Sequence, residues 1–132
     1  MSESMKSLGE CLVNVRWCDL DNYGHVNNSR YFEYMTEGRA RILKDLISPY
    51  DTVQYLLVDT ACNFQKPIIY PCDLKIVHSL QAIGRTSFTI ACDMRSVDGE
   101  TLYAQGTAKL VCYDPIAKKP VAIPAVLMAV FS

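Results

Sequence analysis

Apolar residues recur at every second position through Cys11, Val13, Val15 and Trp17, with Leu12, Asn14, Arg16 and Cys18 between them. A period of two predicts a half-buried strand. A polar, Gly-containing stretch follows, and then the period lengthens. From about Asn28 to Leu46, the residues Tyr31, Tyr34, Met35, Gly38, Ile42 and Leu46 fall on one helical face, with Glu33, Glu37, Arg41 and Lys44 opposite. This is the only long helix the pattern predicts. Asn27 or Asn28 is placed to cap its start, and Pro49 stands just beyond its end.

The remainder reads as strand: roughly Tyr55 to Lys66, Asp73 to Ala82, Thr86 to Val97 and Thr101 to Tyr113. In the last two the alternation is clear. Phe88, Ile90, Cys92 and Met94 share one face, and Leu102, Ala104, Gly106, Ala108 and Leu110 share another. Asp98-Gly99 predicts a hairpin turn of the type I′ kind, and Gly84 marks the turn before it. A helix of that length spans about 28 Å, whereas twelve-residue strands span about 40 Å. The strands are therefore long enough to curl round the helix. The expected class is α+β: a curved antiparallel sheet of about five strands wrapped around one long central helix. The 132 residues suffice for one such domain, residues 1–132, without a second.

Composition narrows the partners. Half the residues are apolar, a fifth are charged and the formal net charge is -1, so neither disorder nor a nucleic-acid field is indicated. The opening MSESMKSLGE lacks the charged and apolar regions of a secretory signal. The apolar run from Ala122 to Phe131 is short and broken by Pro124. A soluble cytoplasmic protein that binds no membrane is expected. There the six cysteines would be free thiols, mostly small core residues. With no CxxC and only two histidines, a zinc site has almost no ligands to draw on, and no metal is expected. The apolar C-terminal residues Val126, Leu127, Met128, Val130 and Phe131 should pack on the sheet or on another subunit.

The densest cluster of polar residues runs from Asp19 to Asn28, between the first strand and the helix. Asp, Asn and Gly are also the ordinary residues of turns and caps, so a structural role must be weighed first. A calcium loop fails because Tyr23 and Arg30 stand where oxygen ligands are needed. A serine or cysteine triad has no G-x-S-x-G and few candidate bases. Carboxylate chemistry remains. The first turn of a helix offers unpaired N–H groups and the positive end of the macrodipole, a natural seat for a carbonyl oxygen gaining charge. Asp21, ionised at neutral pH with a reference pKa near 3.9, can attack such a carbonyl or orient a water. A thiolate leaves with little help. A thioester is within reach of this equipment; an amide is not.

The run Arg16 to Asn28, with its D-x-D-x-x-G-H-V-N-N string, followed by Tyr31, Glu37 and Arg39, closely resembles the 4-hydroxybenzoyl-CoA thioesterase-like branch of the hotdog superfamily. The likeness extends through Pro67, the Gly84-Arg85-Thr86-Ser87 turn and the segment from Asp114 to Pro124. It implies a hotdog fold and an acyl-CoA thioesterase, with CoA as part of the substrate and no separate cofactor. Asp21 would be the nucleophile or general base, and the backbone N–H of Asn28 or a close neighbour the oxyanion donor. The resemblance implies a homodimer or homotetramer with sites between protomers, so that Asn63 and Phe64 would face the partner's catalytic loop. Asn28 occupies the position where another subgroup has histidine, which marks the GHVNN subgroup. His25 then either polarises the loop or holds it, and His78 is a structural residue within a strand. Glu37 either reaches the substrate or pairs with Arg41, its i+4 neighbour. Asp19 caps or braces the loop. Arg85 is either a CoA phosphate ligand or a solvated turn residue, with Lys66, Lys118 and Lys119 as lesser helpers. Two other readings stand beside hydrolysis. One is a hotdog hydratase, whose D-x-N-x-x-H spacing this chain lacks. The other is a non-catalytic module that holds an acyl thioester or a carrier protein.

Overall fold

A computed structural model describes residues 6–44 and 52–132 of the chain. In chain order the elements are β1 (Lys6–Asn14), a 3₁₀ turn at Trp17–Asp19, α1 (Asn28–Lys44), β2 (Gln54–Phe64), β3 (Asp73–Ile83), β4 (Ser87–Ser96), β5 (Leu102–Asp114), β6 (Lys119–Pro120) and α2 (Ala125–Phe131). The strands form one antiparallel sheet in the order β1-β3-β4-β5-β2, with the two-residue β6 paired to the end of β5. The α+β class and the antiparallel sheet agree with the sequence pattern, except that the sheet has six strands rather than about five.

Several boundaries differ from expectation, each for a local reason. β1 ends at Asn14, before the alternation does, because Val15 N–H turns to the Cys72 carbonyl and the chain tightens into the 3₁₀ turn. Between β4 and β5 the type I′ turn is replaced by a longer connection across residues 97–100, closed by Ser96 N–H on the Thr101 carbonyl. Asp98 is not left-handed there, as a type I′ turn would require. The C-terminal apolar run, expected to pack on the sheet or another subunit, forms the short helix α2 beyond Pro124. The predicted end of α1 at Leu46 and the stop at Pro49 lie outside the described residues.

Helix α1 buries Tyr31, Tyr34, Met35, Gly38 and Leu43, and lies against β1 and β3. Two glycines let it come close. A Cβ at Gly38 would stand 2.7 Å from His78 Cε1, and one at Gly106 would stand 2.6 Å from Met35 Sδ. Neither contact is tolerable without moving a neighbour. One apolar cluster, with Val13, Tyr34, Met35, Leu74, Ile76 and Met94, fills the space between α1 and the sheet. A second, with Leu43, Phe88, Leu110, Leu127 and Phe131, joins α2 to the other end. Full burial of each such side chain contributes about 1.5–3 kcal/mol.

Polar groups tie the β1–α1 connection into this core. Asp19 is completely buried. Its carboxylate accepts from Tyr34 Oη at 2.6 Å, Arg16 Nη2 at 2.9 Å and Arg16 N–H at 3.3 Å, with Arg30 Nε at 3.7 Å. Burial raises the pKa of this carboxyl, but the Tyr34 and Arg16 hydrogen bonds outweigh it and hold the group below its ordinary value. The Asp19 carbonyl also takes the Asn27 N–H at 2.9 Å. Asp19 thus braces the loop, as the sequence suggests.

His78, facing Gly38, is 1 % exposed and has no hydrogen-bond partner on either ring nitrogen among the described residues. Burial, and then the nearby Arg39 charge, push its pKa down to about 4 from 6.5.

Two stability predictions follow from these buried groups. Asp19→Ala strands the Tyr34 hydroxyl and should destabilise the protein by about 2–3 kcal/mol in urea denaturation; a change under about 0.5 kcal/mol would contradict the bracing role. For His78, the unfolded chain takes up a proton below pH 6.5 that the folded chain refuses until about pH 4. Its contribution to stability therefore shrinks by about 3 kcal/mol as pH falls through that window. Urea titrations between pH 7 and pH 4 should show a shallower loss in His78→Leu than in the parent, and equal slopes would refute the assignment.

Candidate functional site

The loop between the 3₁₀ turn and α1 is closed by its own backbone. Leu20 and Val26 form an antiparallel bridge, and Asp21 N–H donates to the His25 carbonyl at 2.7 Å. The Asp21 side chain reinforces the turn: Oδ1 accepts from the N–H of Tyr23 at 2.8 Å and of His25 at 3.2 Å. Aspartate forms such local turns readily. Both of these bonds use Oδ1, and among the described residues Oδ2 accepts none. The carboxylate is therefore held in one orientation with its second oxygen unengaged.

The same loop is stitched to the segment after β2. Val26 N–H donates to the Ile68 carbonyl at 2.9 Å, and His25 bridges to Ile69. Asn27 then caps α1, its Oδ1 accepting from Ser29 N–H at 3.0 Å. The N–H of Asn28, the first helical residue, meets no acceptor among the described residues. No acidic side chain lies in this first turn to offset the positive end of the helix dipole.

These pieces meet at a cleft of about 210 Å³ lined by Asp21, His25, Asn28, Tyr31, Phe64 and Lys66, together with Val26, Gln65 and Pro67. Five residues singled out from the sequence (Asp21, His25, Asn28, Phe64 and Lys66) thus share one hollow. Phe64 lines the cleft of its own chain. Tyr31 also belongs to the cleft, with its ring edge-on to Phe64; its helical spacing from Asn28 was the available clue. Gln65 left no signal, being an unremarkable polar residue at the end of a strand.

Three candidates lie elsewhere. Glu37 pairs with Arg41 in a polar groove shared with Asn14, Arg16, Glu33 and Tyr34. Asn63 lines a larger hollow of about 730 Å³ with Ser79, Ala91, Asp93, Gln105 and Thr107. Alternation along β2 turns Asn63 away from the face that carries Phe64. Arg85 is exposed in the β3–β4 turn, and its carbonyl accepts from Ile123 N–H at 3.0 Å. The larger hollow contains neither Asp21 nor a helix N-terminus, so the smaller cleft has the groups for carbonyl chemistry. A carboxyl oxygen, an N–H on a positive helix end and a lysine side chain can polarise a bound carbonyl and deliver a nucleophile to it. No trio of His, Cys, Asp or Glu side chains that could hold a metal occurs among the described residues. No helix among them is long and apolar enough to cross a membrane.

Known proteins resemble the chain along most of its length. The long-chain acyl-CoA thioesterase FadM of Escherichia coli is 26% identical over 115 residues, covering 84% of this chain and 87% of that protein. A protein of Aquifex aeolicus is 27% identical over 82 residues, covering 58% of this chain and 64% of its own length, so that match spans less than two thirds of the relative. Among solved structures, the PA2801 protein of Pseudomonas aeruginosa superposes with a TM-score of 0.89 at 23% identity, over 96% of this chain and all of that one, and so shares the fold. The profile of the thioesterase-like superfamily matches residues 15–131, and the chain belongs to that superfamily.

Proposed function

We propose that this protein hydrolyses acyl-CoA thioesters in the cleft beside Asp21. The observation that carries the reading is that the Asp21 carboxylate and the opening turn of α1 line one hollow. In this reading the thioester carbonyl oxygen sits against the Asn28 N–H, where the helix end stabilises the charge it gains. Asp21 Oδ2 then attacks the carbonyl carbon, or takes a proton from a water that does. The carbon–sulfur bond breaks, CoA leaves as thiolate, and water supplies the elements of the free acid. Lys66 offers a cation for the CoA phosphates, and His25 holds the loop through its backbone bonds to Asp21. The 26% identity to a named acyl-CoA thioesterase supports the substrate class. The same reading takes the arrangement as a hotdog fold with α1 as its central helix, and the chain as one of the GHVNN subgroup.

A homodimer fits this reading. β2 is an edge strand with Leu56, Leu57 and Val58 exposed, and such an edge invites a second strand. Pairing there would bring a second copy beside Phe64 and the cleft.

Asp21→Asn tests the chemistry, because a carboxamide oxygen can keep the bonds to Tyr23 and His25. Thiol release from an acyl-CoA panel should fall at least about 100-fold with thermal stability preserved. Near-parent turnover in the folded variant would eliminate the assignment. For the assembly, light scattering on the purified protein at micromolar concentration should give the mass of two chains or a multiple of two, and a monomer mass would exclude the pairing.

A further inference from the structure

Two aromatic rings are among the side chains that line the cleft beside Asp21. Tyr31 comes from the first turn of α1, three residues after Asn28, and Phe64 is the last residue of β2. Their centroids are 4.8 Å apart with the planes at 84°, the edge-to-face geometry that aromatic pairs favour. The pair links the first turn of α1 to the end of β2 beside the cleft. Behind it the space is filled: Tyr31 is 2 % exposed and packs with Met35, Ile68 and Met94 in the core cluster. Met35 in turn lies over Gly106, where an added Cβ would meet its Sδ at 2.6 Å and displace the end of that side chain. The cleft in front holds about 210 Å³, less than the roughly 300–1,000 Å³ of sites that enclose drug-sized ligands.

We propose that the Tyr31–Phe64 pair is the end wall of the acyl site and that Phe64 sets the upper limit on acyl length, so that short acyl thioesters are the preferred substrates. The inference rests on the thioesterase reading above and adds the class of acyl group to it. A short acyl group can place its carbonyl by Asp21 and Asn28 and still rest its tail on the ring edges. A long chain meets the wall and must displace Phe64. The two rings differ in their freedom to yield. Tyr31 is locked into the core, whereas Phe64 is 43 % exposed. Phe64 can therefore be cut back without opening a core cavity, and it is the residue at which length selectivity is set. This preference is opposite to the one named for FadM, whose name specifies long-chain acyl-CoA.

The test compares kcat/KM for butanoyl-, octanoyl- and hexadecanoyl-CoA in the parent, Phe64→Leu and Phe64→Ala, by thiol release, with thermal melts to confirm folding. The parent should favour butanoyl-CoA over hexadecanoyl-CoA by about tenfold or more, and Phe64→Ala should lower that ratio by about tenfold, with Phe64→Leu between. A fall in KM for the long chain that exceeds any change in KM or kcat for the short one would mark a wall rather than general damage. If Phe64→Ala does not fold, the Phe64→Leu shift decides the question by the same ratio. A parent that prefers hexadecanoyl-CoA, or a ratio unchanged in the folded variants, overturns the inference while leaving hydrolysis standing. A parent that releases thiol from none of the three substrates overturns the thioesterase reading itself, and the inference with it.

Discussion

Between α1 and the sheet, the separation is set by two positions that carry no side chain. Gly38 on the helix faces the His78 ring on β3, and Gly106 on β5 receives the end of Met35. Because both contacts are already tight, the helix has little freedom to slide or lift. Its first turn is therefore delivered to a fixed place at the end of β2, where Asn28 and Tyr31 meet Phe64. Interior packing at crystal-like density transmits such constraints over several residues. The position of the cleft is thus a consequence of how the middle of the helix is seated, well away from the groups that line it.

The two aspartates of the D-x-D string show how neighbouring carboxyl groups acquire different capacities. Asp19 is sealed from water, and its charge is matched by the Tyr34 hydroxyl and the Arg16 guanidinium. Nothing more can approach it. Asp21 is only half-buried, and its partners are two backbone N–H groups on a single oxygen. Orientation without saturation is the condition for a carboxylate that is to act on another molecule. A burial difference across two residues thus separates a brace from a reactive candidate.

Much of this was legible in the chain because strong periodicity survives folding. The alternation in β4 and β5 is regular since both strands are interior to the sheet with one face against apolar residues. β2 was legible as a strand, but not in its orientation. It lies at an edge, where most of its residues are exposed, and a bulge between Leu57 and Asp59 changes its phase. A shift of one position in a period of two exchanges the faces, which is why Phe64 reaches the cleft and its neighbour Asn63 does not. Glu37 illustrates a different limit. Its spacing to Arg41 suits an ion pair and its place at the border of the apolar face suits a pocket, and only the three-dimensional arrangement separates the two. The helix α2 left a signal of apolarity but none of conformation, being seven residues long and preceded by a proline. The loop from Asp19 to Asn28 was recognisable as a unit because its hydrogen bonds are almost all local, and local bonding leaves its mark in consecutive residues.

That locality has a consequence for how such a protein can change over generations. The turn that orients Asp21 is written in five adjacent codons, from Asp21 to His25, and its anchors are main-chain amides that most substitutions leave in place. The Phe64 ring that lines the same cleft is encoded some forty positions away, at the end of an edge strand. The loop that orients Asp21 and the ring of Phe64 are therefore inherited as separable pieces, and a lineage can alter the second while the first passes through unaltered.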